Sequence, residues 1–112
     1  NKDREKIEKY IQNDFGYVIN FDEHGSDNAF EFYSPTISKA TGIQTVADDF
    51  KSDLDHCYVF GDSFNDESML RYVKHSIVMA NGVQAMKDIA YFVTKDIEDD
   101  GIAYALEKLD LI

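Results

Sequence analysis

The chain has 112 residues and carries 22 acidic against 11 basic side chains, a formal net charge of −11 at pH 7. Binding along a phosphate backbone needs a basic surface, so this balance excludes nucleic acid as the expected partner. The length allows one domain or less, no apolar run approaches the ~20 residues of a membrane span, and no signal-peptide pattern is visible.

The first element expected is an amphipathic helix over residues 2–15, because Ile7, Tyr10, Ile11 and Phe15 recur at helical spacing among charged neighbours. Gly16 stops it. Short strands over 17–21 and 29–33 follow, joined by a polar stretch, 22–28, with Gly25 at its middle. Its Asp22, Glu23, His24 and Asp27 read as solvated loop groups. Pro35 confines Ser34 to extended backbone and cannot continue a ladder, so residues 34–36 are the expected hinge.

Beyond the hinge, Ser38 or Thr36 can cap a helix reaching about Phe50, with Ala40, Ile43, Val46, Ala47 and Phe50 on its packed side. Lys39 sits in the first turn of that helix. A cation there opposes the helix dipole, a local cost of about 0.3–1 kcal/mol that a functional or an ordinary surface lysine could equally bear. A polar connection, 51–56, leads to an apolar run, Cys57-Tyr58-Val59-Phe60, that suits a buried strand. The lone Cys57 reads as a small buried hydrophobe, and its lack of a partner cysteine points to a reducing cytoplasm.

That strand ends in Gly61, whose missing Cβ permits backbone conformations other residues resist, and then in Asp62-Ser63-Phe64-Asn65-Asp66-Glu67. Ser63 or Asn65 can cap a helix over about 65–73, packed through Met69, Leu70 and Val73, with Asp66 and Glu67 complementing its dipole. Hard cations such as Mg²⁺ take one or two carboxylates together with water and phosphate oxygens. Asp62 is therefore a candidate metal ligand, Asp66 a second ligand or an orienting group, and Asn65 a neutral donor to a phosphate oxygen. The same residues also make ordinary turn and cap chemistry, so on this segment alone both readings stand.

A second apolar run, 76–80, ends in Asn81-Gly82. The helical pattern of Val83, Met86, Ile89 and Ala90 makes this a strand-to-helix turn, not a hairpin. A short strand over 91–94 and a last helix with Ile102, Ala105, Leu106 and Leu109 on its apolar side complete the chain. Three strands alternating with helices imply right-handed crossovers, a parallel sheet, and ligand-binding loops at its carboxyl edge. His56 and His75 flank strands without a catalytic partner, and Met79 and Met86 read as core filler.

The run Gly-Asp-Ser-Phe-Asn-Asp-Glu-Ser-Met-Leu over 61–70 resembles the last acidic motif of the haloacid dehalogenase-like (HAD) phosphatases, and its Asn-Asp before Met-Leu is closest to their Cof-type branch. Ser38-Lys39 upstream resembles that family's lysine segment. Residues 76–82 resemble its valine, alanine-methionine and asparagine strand and turn, and 98–102 its final acidic-glycine segment. The resemblance covers roughly residues 31–112, with Ala40 standing where the family usually has glycine.

It implies an α/β fold: 34–112 as the C-terminal part of a three-layer α/β/α core with parallel strands, preceded over 1–33 by the tail of an α/β cap. It further implies a Mg²⁺-dependent phosphomonoester hydrolase of small phosphorylated metabolites, working through an aspartyl-phosphate. Asp62 would hold Mg²⁺ with Asp66 as a second ligand or an orienter, Lys39 would pair with a phosphoryl oxygen or the nucleophile, and Asn65 would bind phosphate. The family's Asp-X-Asp-Gly-Thr nucleophile motif does not occur in this sequence. The chain is therefore expected to be the C-terminal part of a larger protein, inactive alone and prone to self-association. Two rival readings are a non-enzymatic interaction module and a P-type ATPase phosphorylation domain. The latter shares Gly-Asp-Gly-X-Asn-Asp but usually has alanine-proline where Glu67-Ser68 stands here.

Overall fold

The computed structural model describes residues 2–16, 18–21 and 30–112, and the expected loop residues Asp22, Glu23, His24 and Asp27 lie outside them. The chain divides into two compact units, Asn1–Ile37 and Ser38–Ile112.

In the first unit, α1 spans Lys2–Phe15, and Gly16 ends it at φ 65°, a left-handed conformation that glycine adopts without a Cβ clash. Only Ile11 of its expected apolar stripe is buried. Ile7, Tyr10 and Phe15 are exposed, and Tyr10 and Phe15 instead meet edge to face with ring centres 5.3 Å apart. The strands β1 (Val18–Phe21) and β2 (Phe30–Tyr33) pair antiparallel, with Val18 opposite Tyr33 and Phe21 opposite Phe30. Ser34 to Ile37 then form a turn closed by the Ile37 N–H on the Ser34 carbonyl at 2.9 Å.

The second unit is built on three parallel strands: β3 (Tyr58–Gly61), β4 (His75–Val78) and β5 (Phe92–Val93), in that spatial order. β4 is central, and Ser76, Ile77 and Val78 are almost wholly buried. A strand covered on both faces needs such a continuous run in place of alternation. Val78 joins Val59 in a core with Leu70 and Val73 at the end of α3 (Glu67–Tyr72) and Met86 of α4 (Gln84–Ile89), while Ile43 of α2 (Lys39–Asp49) packs against it. Burying a side chain the size of Leu70 stabilises by about 2 kcal/mol.

Side chains alternate along a strand, so Ile77 and Met79 face the other way from Val78. There Met79 meets the start of α5 (Gly101–Lys108): a Cβ built on Gly101 would lie 2.8 Å from Met79 Cε. The expected α/β class and the adjacency of all three parallel strands are thus observed.

Some expected packing is corrected. Val46 and Phe50 are 56% and 79% exposed and do not share the packed side of α2, which buries Ala47 and half-buries Ala40 and Ile43. Ile102 is exposed on α5, where Ala105 is the buried contact. The helix expected over 65–73 is a 3₁₀ turn, Phe64–Asp66, before α3. Met79 and Met86 are core filler as expected, and Cys57 is half-buried against the core.

Candidate functional site

The site grows from one buried carboxylate. Asp66 closes the 3₁₀ turn after β3 and is 5% exposed, an unfavourable place for a charge unless partners compensate. It has three. Its Oδ1 accepts from the Lys39 ammonium, and its Oδ2 accepts from the backbone N–H of Asp62 at 2.9 Å and of Ser63 at 3.4 Å. Burial alone pushes the Asp66 carboxyl up, but the Lys39 hydrogen bond, the Asp62 amide, the Lys39 charge and the Ser63 amide together hold it below the usual carboxylate range.

This geometry explains Gly61 differently from its sequence context. Gly61 is not among the residues with positive φ. A Cβ there would lie 2.8 Å from Asp66 Cβ and 2.9 Å from Asp66 Oδ2, so glycine is needed because the carboxylate occupies the space a side chain would fill.

Lys39 is placed by the N-terminus of α2. Ser38 caps that helix, accepting from the Thr41 N–H at 3.1 Å while Thr41 Oγ1 accepts from the Ser38 N–H at 2.9 Å, a reciprocal capping box. Thr36, the other candidate cap, bonds Ser34 instead. The cap fixes the first turn, and the Asp66 contact offsets the cost of a cation at the positive end of the helix. Half of the Lys39 side chain stays exposed, so the ammonium can serve a second anion.

Asp62 follows β3 at the carboxyl edge of the sheet, exposed, its carboxylate without a hydrogen bond or ion pair among the described residues. Its backbone is held on both sides, the N–H by Asp66 and the carbonyl by the Val83 N–H at 2.8 Å. Asn65 is exposed beside it, and its Oδ1 accepts from Ser63 Oγ at 2.6 Å. Lys39, Asp62, Asn65 and Asp66 are therefore brought to one edge. His75 stands at the opposite end of β4, stacked on Tyr58 at 4.7 Å and meeting Tyr91 edge-on at 5.0 Å, away from this chemistry.

The sequence model of haloacid dehalogenase-like hydrolases matches residues 1–106 of this chain. The chain belongs to that family. Among its relatives, the Bacillus subtilis protein named "Putative phosphatase YkrA" is 45% identical over 75 residues, which are 67% of this chain and 29% of that protein. A crystal structure of a hypothetical protein from Geobacillus kaustophilus HTA426 superposes at TM-score 0.83 with 32% identity, over 96% of this chain and 41% of that one. The HAD subclass IIB sugar phosphatase BT4131 superposes at TM-score 0.79 with 26% identity, over 97% of this chain and 41% of its own. This chain thus spans less than half the length of each of these relatives.

The HAD hydrolases generally use Mg²⁺, and the residues present fit such an ion in one respect. Asp62 offers an uncommitted carboxylate at the sheet edge, while both Asp66 oxygens are engaged by donors of the chain itself. No group of three His, Cys, Asp or Glu side chains is arranged to hold a metal among the described residues. One carboxylate completed by water and substrate oxygens is a normal habit for Mg²⁺.

What the sequence did not disclose is the buttress behind Asp62. A Cβ on Gly82 would lie 2.8 Å from the Asp62 carbonyl oxygen and 3.1 Å from its Cα, so the turn after β4 packs directly on the candidate ligand. The Asn81-Gly82 pair signalled a turn, but nothing local says which loop that turn touches.

Proposed function

We propose that this HAD-like chain supplies the cation-holding and phosphate-facing half of a Cof-type phosphomonoester hydrolase, whose nucleophilic aspartate lies in other sequence of a longer protein. The observation that carries the reading is the Lys39–Asp66–Asp62 set at one sheet edge, with a lysine and a free carboxylate held by one buried acid.

Phosphoryl transfer is mostly a matter of positioning and of neutralising charge on the transferring oxygens. Lys39 donates to a phosphoryl oxygen with the half of its side chain that stays exposed. Asn65 offers its amide N–H to the same group without adding negative charge. Asp66 keeps Lys39 aimed, and it fixes the Asp62 backbone, so it serves as an orienting group. Asp62 would hold Mg²⁺, which when bound would neutralise phosphate charge. The covalent step is an attack by the remote aspartate on phosphorus, breaking the bond to the leaving oxygen as a second remote acid protonates it to the alcohol. Water, activated by the same group as base, then hydrolyses the aspartyl-phosphate to free phosphate and the carboxylate.

Small phosphorylated metabolites are the proposed substrates, sugar phosphates foremost, in line with the activity for which BT4131 is named. The net charge of −11 speaks against nucleic acid, and a single cysteine fits the reducing cytoplasm. No helix among the described residues is long and apolar enough to cross a membrane.

The test is a Mg²⁺ titration of p-nitrophenyl phosphate hydrolysis by the full-length protein and its Asp62→Asn variant. The variant is expected to need far more Mg²⁺ and to turn over slowly while keeping the wild-type fold. Equal activity across the titration would remove Asp62 from the cation site. The 112-residue chain by itself is expected to show no turnover.

A further inference from the structure

Loops leave the carboxyl ends of all three strands of the second unit, and one amide side chain ties two of them together. Asn81, in the turn after β4, accepts the Ile97 N–H on its Oδ1 at 3.1 Å, and Ile97 begins the 3₁₀ turn Ile97–Asp99 that follows β5. The neighbouring Ala80 N–H reaches the Lys95 carbonyl at 3.3 Å. On the other side of Asn81, Gly82 packs on the Asp62 backbone and the Val83 N–H donates to the Asp62 carbonyl.

The residue that holds the β5 loop is thus immediately next to the two that hold Asp62. A turn of four or five residues moves nearly as a unit, because each bond that fixes one residue restricts the dihedrals left to its neighbours. We propose that Asn81 is a positioning residue for Asp62: by accepting the Ile97 N–H it immobilises the 81–83 turn, and that turn fixes the backbone from which the Asp62 carboxylate projects. The tether stands on its own geometry, and its functional meaning rests on the reading of Asp62 as a cation ligand. Partners that orient a ligating carboxylate commonly change metal affinity by about tenfold or more when removed.

Two substitutions delete the same bond from opposite ends. Asn81→Ala removes the acceptor. Ile97→Pro removes the donor at a site suited to proline: the first position of a short helical turn, preceded by Asp96 at φ −60° and ψ 155°, with a side chain that is 64% exposed. Asn81→Asp keeps an acceptor for Ile97 and serves as the conservative control.

Backbone amide hydrogen exchange of the full-length protein reads the outcome without metal. In Asn81→Ala, exchange at Val83 and Asp62 is expected to speed up by about tenfold, the scale set by the loss of one hydrogen bond, with Asn81→Asp near wild type. Ile97→Pro should accelerate Val83 and Asp62 equally, and the double variant should be no worse than either single one, as two halves of one interaction require. Mg²⁺ affinity by calorimetry should fall in step.

Acceleration confined to residue 97 and its neighbours in Asn81→Ala, with Val83 and Asp62 unchanged, would overturn the proposal. So would additive effects of the two substitutions. Should Asn81→Ala not fold, Ile97→Pro alone decides by the same amides. Failure of the metal reading looks different: Asp62→Asn would then leave Mg²⁺ affinity untouched, whatever the exchange at Val83.

Discussion

Asp66 is the residue on which the others depend, because one buried carboxylate serves Lys39 and two backbone amides. Its folded value lies below the ordinary carboxyl value of 3.8, so the stability it contributes is complete above that pH and is lost as pH falls through the folded value. Asp66→Asn is therefore expected to destabilise by roughly 1–3 kcal/mol at pH 7, and urea midpoints of the two proteins should converge as pH falls below 3.8 and through the folded value. Lys39→Ala leaves burial less opposed, so acid unfolding should begin at a higher pH than in the wild type. A Lys39→Ala protein whose acid limb coincides with the wild type would show that the ammonium does not hold Asp66 ionised. Gly61→Ala puts a methyl into the carboxylate and should shift the Asp62 and Ser63 amide resonances as well as lower the urea midpoint. The acidic pair and the lysine were legible in the sequence, since their types and spacing follow the family pattern. Which of the two carboxylates is buried was not, because that depends on how Gly61 lets the chain fold back.

At the scale of elements, strand order followed from alternation of strands and helices, and the Asn81-Gly82 turn was correctly separated from a hairpin by the helical period after it. Side-chain exposure on α2 was less legible. Val46 and Phe50 satisfy helical spacing with Ile43, yet periodicity cannot say how wide a stripe the neighbouring layer covers, and here the cover stops at Ala47. The final acidic-glycine segment gained a structural meaning of its own. Asp100 enters α5 in the left-handed region at φ 53°, and a Cβ on Gly101 would stand 2.2 Å from the Lys95 carbonyl oxygen. Thr94, 4% exposed, donates its hydroxyl to the Gly101 carbonyl at 2.5 Å. Gly101→Ala should consequently push α5 off the sheet, lowering the thermal midpoint and exposing Met79 to oxidation by peroxide. Unchanged protection of Met79 would mean that the loop absorbs the methyl.

For the whole molecule, the sheet of the second unit presents its outer strands β3 and β5 with no strand beyond them among the described residues. Open edges invite pairing with another chain, while a net charge of −11 opposes it. The purified chain is expected to associate weakly at low salt and more strongly as salt screens the charge, read by sedimentation velocity across a concentration series. A single monomeric boundary at every salt and concentration would contradict that expectation. The two outer strands are not equally anchored, however. β3 shares four paired positions with β4, whereas β5 shares two, Ile77 with Phe92 and Val78 with Val93. Under a mechanical load applied to the C-terminus, the ladder that holds β5 has half the rungs to shear. In an optical trap the segment from Phe92 onward should peel away first as a separate short extension, leaving β3, β4 and the Asp62 loop to yield at higher force.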